Sequence, residues 1–188
     1  MSVRLLSEKV SYRSEPRNLQ IVVLGKIARW KESLLTAWLL AWVFCGGVVF
    51  NTYWHSTSRE SKMVYLIFLI FWVYYFWRIG RVWLFRRGGN ELIKVHNDTL
   101  VLKRSFFTYG KSRVYDLESI TDLKPLKISK TSFAHTYENS WWVLGGEKLS
   151  FEYHGRVVKF AMQISDETRD KLLVLLRKQI AKNLKSLN

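Results

Sequence analysis

The first half of the sequence contains two long stretches without a charged side chain, at residues 34–54 and 63–77. An α-helix rises about 1.5 Å per residue, so crossing a hydrocarbon layer about 30 Å thick takes about 20 apolar residues. The second stretch reaches this length if it continues past Arg78 and Arg81 to residue 85, with both arginine side chains extending toward lipid headgroups. Residues 55–62 form a short polar link between the stretches. The sequence therefore predicts a transmembrane helical hairpin over residues 34–87, with spans at about 34–54 and 63–85.

The alternative is a pair of buried helices in a soluble protein. Neither stretch has a polar face, and a helix that is apolar all round must be enclosed by lipid or by a large protein. A chain of 188 residues has too little other mass to enclose two such helices. A cleaved signal peptide does not fit either, because the first apolar stretch begins only at residue 34 and a second one follows it. We therefore favour membrane insertion.

The formal charge of +15 comes from 30 Lys and Arg residues against 15 Asp and Glu residues. Basic residues concentrate before the first span and directly after the second, whereas the link contains only Arg59 and Lys62. Basic residues that flank spans are retained on the cytoplasmic side of the membrane. The charge distribution therefore predicts an integral membrane protein with both termini in the cytoplasm.

The positive charge also suggests anionic partners. Each Lys or Arg near an anionic lipid surface contributes about 1 kcal/mol of attraction. Nucleic acid is not a predicted partner, because no zinc-finger spacing, helix-turn-helix signal or RNA-binding aromatic motif accompanies the charge. Lys111 and Arg113 could extend a basic rim that faces the bilayer. The residues predicted to contact anionic lipid headgroups are Arg78, Arg81, Arg86, Arg87, Lys103 and Arg104.

Residues 1–33 form a polar, basic leader. Within it, residues 19–30 are mostly apolar but are interrupted by Lys26 and Arg29. This segment could be an amphipathic helix in the membrane interface or a strand that joins the soluble domain. We favour the interfacial helix.

Residues 88–188 change to short alternating runs, which predict about seven antiparallel strands within 90–123 and 140–162. Tight turns are expected at residues 97–98 and 110–111. The sequence after residue 164 predicts an amphipathic helix, with an N-cap at Ser165 and Asp166 and a leucine-rich apolar face. Residues 124–139 are polar and mixed, and they predict a long loop.

This order of strands and one closing helix resembles the pleckstrin-homology-like (PH-like) barrel or sandwich. Residues 155–160, the following Ile164, Ser165, Asp166 and Glu167, and the leucine-rich helix are similar to the end of bacterial PH-like membrane proteins. Many of these proteins carry a two-helix hairpin directly before the domain. The resemblance implies an α+β membrane protein of the bacterial inner membrane, with a cytoplasmic PH-like domain at residues 88–188. The insertion at residues 124–139 departs from this pattern and is expected to bind a partner.

No catalytic residue, metal site or cofactor is predicted. The four histidines are scattered, and neither a Cys/His metal pattern nor a phosphate-binding glycine loop occurs. The aromatic residues of the spans are typical of interfacial belts, which we favour over a pigment or quinone site. Asp116, Glu118 and Asp122 could share a strand face and bind a cation, but solvated or ion-paired side chains are the preferred interpretation.

These features favour a non-catalytic accessory or scaffold subunit that binds, assembles or stabilises a larger membrane protein complex. The alternative is a module that recognises anionic lipid. Homo-oligomers and hetero-oligomers both stay open. Adjacent glycines in the first span permit close approach of another helix, and one of two adjacent tryptophans on a strand would face outward. The residues predicted to contact a partner are Gly46, Gly47, Phe133, Trp141 and Trp142.

Overall fold

The computed structural model describes residues 3–106, 109–126, 140 and 142–185. The elements occur in the order β1 (Arg4–Ser7), β2 (Val10–Ser14), β3 (Asn18–Leu24), α1 (Arg29–His55), α2 (Arg59–Gly88), β4 (Gly89–His96), β5 (Thr99–Phe106), β6 (Ser112–Asp116), β7 (Ile120–Pro125), β8 (Glu147–Tyr153), β9 (Arg156–Met162) and α3 (Asp166–Lys185). The predicted α+β class with two long apolar helices is confirmed. The described strands form two antiparallel sheets, in the orders β1-β2-β3-β4-β5-β6 and β7-β8-β9, and they do not close into a barrel.

Helices α1 and α2 contain the two predicted spans, and both are long and apolar enough to cross a membrane by length and composition. Their surfaces remain largely uncovered by the rest of the described chain. The buried residues are only Leu35 and Gly46 in α1 and Val82 and Arg86 in α2. The β domain therefore does not enclose the helices.

The two helices contact each other through tryptophan side chains. Trp72 Nε1 donates a hydrogen bond to the Trp42 carbonyl at 2.8 Å, and Trp42 Nε1 donates to the Trp72 carbonyl at 3.3 Å. Trp83 Nε1 donates to Thr36 Oγ1 at 2.8 Å. Hydrogen bonds of this kind between helices hold a pair together in surroundings that offer no competing water. The helices thus form one antiparallel hairpin.

The leader does not contain the favoured interfacial helix; it forms strands β1, β2 and β3. In β3, Leu19, Ile21 and Val23 are buried while the residues between them are partly exposed, which is the two-residue period of a strand. Strand β3 pairs with β4 along its whole length, from Asn18 opposite His96 onward. The leader is therefore part of the β domain, and the helical hairpin is inserted between two paired strands.

Helix α3 covers the inner side of the β domain. Leu172, Leu173 and Leu176 are buried, and the predicted N-cap is confirmed because Thr168 N donates to Ser165 Oγ at 3.2 Å. Near the other end of the helix, Asn183 Nδ2 donates to the Asn97 carbonyl at 2.7 Å. The buried apolar core beneath α3 comprises Val10, Leu19, Ile21, Val23, Ile93, Val95, Leu100, Leu102, Tyr115, Leu117, Leu149, Phe151, Phe160, Ala161 and Ile164.

Two predicted strands differ in the structure. Residues 117–119 form a short 3-10 turn before β7, because Leu117 turns into the core. Ser140 and residues 142–144 form bends and a turn where a strand was predicted. The Val143 carbonyl accepts a hydrogen bond from the Arg86 side chain. Most of the predicted insertion, residues 127–139, lies outside the described residues.

The three clustered acidic residues do not share one strand face. Asp116 ends β6, Glu118 lies in the 3-10 turn, and Asp122 in β7 pairs with Lys124. Within the described ranges, no group of three or more His, Cys, Asp or Glu residues is arranged to hold a metal ion.

Candidate functional site

The helical hairpin joins the sheet through two closely packed glycines. Gly25, just after β3, donates its backbone N–H to the Gly89 carbonyl at 2.9 Å. Phe85 packs against both glycines, so a Cβ at either position would overlap the ring or carbonyl of Phe85. Because α2 ends at Gly88 and β4 begins at Gly89, no flexible linker separates the second helix from the sheet.

Arg86 secures the same junction. Its side chain is 2% exposed, and Nη2 donates to the Val143 carbonyl at 2.9 Å. The prediction that Arg86 contacts lipid headgroups is therefore wrong. The guanidinium lies inside the protein because the end of α2 packs against the turn at residues 142–144. The Val143 carbonyl in this turn is not paired in a β-sheet, and the guanidinium supplies its hydrogen bond.

Arg87 remains on the surface, where it links the two helices. Its Nε lies 4.0 Å from Glu32 Oε1 near the start of α1, and its guanidinium lies 5.2 Å from the centre of the Trp83 ring. The side chain is 61% exposed. Contact between Arg87 and lipid headgroups stays a prediction.

Arg78 and Arg81 lie on the exposed face of α2 and line one groove with Trp142. The groove has a volume of about 360 Å³. It brings together two groups that are far apart in the sequence, the basic end of α2 and the exposed Trp142. Its remaining described lining residues are Tyr74, Trp77, Val82, Val143 and Leu144. Trp141 and Phe133, the other predicted partner contacts in the domain, lie outside the described residues.

The adjacent glycines of α1 have different surroundings. Gly46 faces Trp72 of α2, and a Cβ at Gly46 would overlap the indole ring. No atom of the described residues lies within 4 Å of a Cβ placed at Gly47. The close approach predicted for Gly46 is therefore made within this hairpin, whereas Gly47 presents an open surface to a helix of another protein.

Arg104 lies in an ionic network between the two sheets. Its Nε donates to Glu91 Oε1 at 3.1 Å, and its Nη2 donates to Glu147 Oε1 at 2.9 Å. Glu91 is 2% exposed, and its Oε2 accepts the backbone N–H of Met162 at 2.9 Å. Burial raises the pKa of Glu91 above its ordinary value, although Arg104 acts in the opposite direction. The network fixes the guanidinium of Arg104 in place.

A cleft of about 220 Å³ opens beside this network. Four basic residues line it, Arg104, Lys111, Arg113 and Lys159, and the Lys159 carbonyl accepts a hydrogen bond from Arg104 Nη2 at 3.5 Å. Lys103 does not contribute, because neighbouring residues of a strand point to opposite faces and Lys103 precedes Arg104. The predicted basic rim is thus divided, with Lys103 on one side of β5 and Arg104 on the other. The other lining residues are Glu91, Leu102, Tyr115 and Val158.

Two members of this cleft were missed from the sequence. Glu91 occupies the same strand face as buried Ile93 and Val95, so its inward position could have been recognised from the two-residue period. Lys159 carried no such signal, because its place in the cleft depends on how the second sheet, which contains β9, packs beside β5 of the first.

Comparison with known proteins identifies no relative. No family model matches the sequence, and no curated protein or solved structure matches it. The functional proposal therefore depends on the geometry of this chain.

Proposed function

We propose that this chain is a non-catalytic, membrane-anchored accessory subunit that binds, assembles or stabilises a larger membrane protein complex. In this proposal α1 and α2 cross the bacterial inner membrane, and a PH-like β domain lies on the cytoplasmic side with both termini. The observation that carries the proposal is the insertion of an uncovered apolar hairpin between the paired strands β3 and β4.

The exposed side chains of the hairpin support membrane insertion. Large apolar residues are exposed along both helices, among them Leu40, Phe44, Ile70 and Phe71. Soluble monomers rarely expose continuous apolar patches larger than a few hundred Å². Transfer of such a surface from water into lipid is favourable by about 25 cal/mol per Å². This exposed apolar surface supports the insertion of the hairpin into lipid.

The arrangement of the strands supports the PH-like part of the proposal. Strands β3–β6 form a four-stranded antiparallel unit, β7–β9 form a second sheet of three strands, and α3 follows. The resemblance implies about seven strands within residues 88–188, whereas six lie there, β4–β9, and β3 from the leader supplies the seventh before the single helix α3. Strands β1 and β2 extend the first sheet at its edge, and the hairpin interrupts the connection between β3 and β4.

The direct junction supports an accessory role. A domain on a long flexible tether samples many positions above the membrane, whereas Gly25, Gly89 and buried Arg86 hold this domain against the end of α2. Gly47 offers a close-packing surface within the hairpin, and Trp142 offers an exposed aromatic surface beside the groove. Because the domain is rigidly mounted on the hairpin, the Gly47 surface of α1 and the Trp142 surface of the domain keep a fixed relation and can contact one partner together.

Alkaline carbonate extraction tests the anchoring. We expect the full-length protein to remain in the membrane pellet and to need detergent for solubility. Cysteines introduced at Thr57 in the helix link and at Arg156 in the β domain should react with an impermeant maleimide from opposite sides of the membrane. Release by carbonate, followed by monodisperse behaviour without detergent, would refute the proposal.

Photo-crosslinking tests the accessory role. A photoreactive amino acid at Trp142 in native membranes should give a discrete cross-linked product, whereas the same amino acid at exposed Arg156 is the control. Gly47→Leu should reduce co-purification of the partner found in that product. Gly80→Leu also adds a side chain on an open helix surface, and it should leave co-purification unchanged. An inserted protein that purifies alone and gives no product at Trp142 would contradict the accessory role.

Recognition of anionic lipid is a second candidate function, favoured by the groove that contains Arg78 and Arg81. The two arginines are three residues apart and therefore lie on one helix face, and none of the described residues that line the groove is acidic. We expect native mass spectrometry to find anionic phospholipid retained on the protein. Loss of this lipid in the Arg78→Gln/Arg81→Gln double variant, with insertion unchanged, would support the function, and unchanged retention would exclude it for this groove.

A further inference from the structure

We infer that the outer face of the six-stranded sheet is a docking surface for an acidic amphipathic helix of a partner protein. The outer face is the side of strands β2–β6 that points away from the buried core. Such a helix belongs to the partner of the accessory role proposed above, on which this inference rests. The outer face is separate from the ionic cleft beside Arg104, because that cleft lies on the inner side of the sheet.

The register of the sheet determines which side chains share the outer face. Residues directly opposite each other in an antiparallel pair point to the same face. Val22 lies opposite Leu92, and Leu92 lies opposite Lys103. In the neighbouring row, Lys94 lies opposite Val101. Two adjacent rows of the outer face thus combine apolar side chains with lysines.

The apolar residues of these rows are not part of the core. Val22, Leu92 and Val101 are partly exposed, and none of them belongs to the described core or packs against it. Val114, opposite Val101, continues the second row onto β6 and is 59% exposed. The solvated face of an antiparallel sheet usually carries polar side chains. One apolar residue on each of four neighbouring strands is therefore better explained by a partner that covers this face.

The charged side chains of the outer face indicate the chemistry of that partner. Lys94 and Lys103 lie beside the apolar residues, and neither forms an ion pair in the described part of the chain. Asp116 ends β6 outside the two rows that contain the lysines. Arg13 in β2 is already paired with Glu15 at 3.1 Å. Carboxylates of a partner would complement the two lysines.

The same charges disfavour a second copy of this chain on the face. Two outer faces brought together would place lysines against lysines, and like charges across an interface are unfavourable. The formal charge of +15 adds a general repulsion between copies. The surface therefore fits a different, acidic partner.

The dimensions of the face suit a single helix. Strands lie about 4.8 Å apart and rise about 3.3 Å per residue, so the face across β3–β6 measures roughly 14 Å by 23 Å. A helix with its side chains is about 10–12 Å wide, and 23 Å corresponds to about 15 helical residues. A sheet buries an apolar face against a helix or against another sheet. One amphipathic helix can thus place apolar side chains on Val22, Leu92 and Val101 and carboxylates beside both lysines.

Photo-crosslinking of the full-length protein in native membranes tests the inference. A photoreactive amino acid at Val101 should give a cross-linked product, and mass spectrometry of this product should map the partner segment that is joined. We expect a segment with apolar residues at helical spacing and with Asp or Glu beside them. The same amino acid at Val174, an exposed valine of α3, is the control and should not give this product.

Charge variants identify the contact. Lys94→Glu combined with Lys103→Glu should lower the yield of the product about tenfold, because two attractions become repulsions. Lys178→Glu combined with Lys182→Glu makes the same change of charge on the exposed side of α3 and should leave the yield unchanged. Lys94→Gln combined with Lys103→Gln is the milder variant if charge reversal impairs folding. Lysines in place of the mapped carboxylates of the partner should restore the product with the reversed variant.

A Val101 product that contains lipid, a second copy of this chain or a segment without acidic residues would overturn the inference. An equal loss of product in the α3 charge variant would also overturn it, because the effect would then be general electrostatics. A partner cross-linked at Trp142 without any product at Val101 would refute this docking surface alone. Absence of a product at both positions would contradict the accessory role as well.

Discussion

The neighbouring glycines Gly46 and Gly47 provide a matched test of how the hairpin is packed. Replacement of either residue by alanine removes the intrinsic penalty of glycine in a helix, which is worth about 0.5–1 kcal/mol. For Gly47→Ala nothing opposes this gain, because the added methyl group enters open space. We therefore expect Gly47→Ala to stabilise the hairpin by about that amount.

Gly46→Ala should have the opposite effect. The new Cβ would overlap the Trp72 indole, and overpacking of this kind costs about 1–3 kcal/mol. Displacement of the ring also breaks the reciprocal hydrogen bonds between Trp42 and Trp72, worth about 0.6 kcal/mol each between membrane helices. After subtraction of the propensity gain, we expect a net loss of about 1–4 kcal/mol.

Tryptophan fluorescence during titration of mixed micelles with a denaturing detergent measures both variants against the parent protein. The difference in unfolding free energy between Gly46→Ala and Gly47→Ala is the decisive quantity, because both changes add one methyl group at adjacent positions. Equal stability of the two variants would refute the tryptophan packing described for this hairpin. Trp72→Phe, which keeps an aromatic ring but removes the indole donor, should reduce the penalty only in part.

Three further predictions concern the β domain. Below its ordinary pKa of 4.5, Glu91 is protonated in both the folded and the unfolded protein, so as the pH rises from there through its raised folded pKa the domain should lose stability. In chemical denaturation at a series of pH values, Glu91→Gln should lack this loss, and parallel pH profiles of the variant and the parent protein would contradict the prediction. Ser165→Ala should lower the unfolding free energy by about 1 kcal/mol through loss of the α3 N-cap, with exposed Ser112→Ala as the control in urea titrations. Leu176→Ala should cost about 2–5 kcal/mol in the same titrations, while Val174→Ala, on the exposed face of α3, should cost far less.

The parts of the fold that depend on local sequence were predictable. The apolar stretches define α1 and α2 by themselves, and the N-cap with its leucine-rich face defines α3 and the residue at which it starts. Strands β4, β5, β8 and β9 were also predictable, because turn residues separate the alternating runs at residues 90–96, 99–104, 148–153 and 156–162. In each case the signal lies within a single segment of the chain.

The leader could not be assigned in the same way. Strand β3 has apolar residues on both faces, since Val22 and Leu24 lie on the face opposite the buried residues, and this obscures the two-residue period. Its partner β4 follows only after both long helices, so no hairpin turn indicated the pairing. The cleft depends similarly on distant elements, because its lining combines β5 and β6 of the first sheet with β9 of the second.

Insertion of the hairpin between two paired strands has a consequence for biosynthesis. Strand β3 is made before either helix and β4 after both, so the central ladder of the sheet cannot form until the whole hairpin has been synthesised. If the hairpin crosses a membrane as proposed, strands that pair must lie on the same side of the bilayer. A chain that had crossed only once would then leave β3 and β4 in different compartments, and folding of the domain would report whether both helices had inserted.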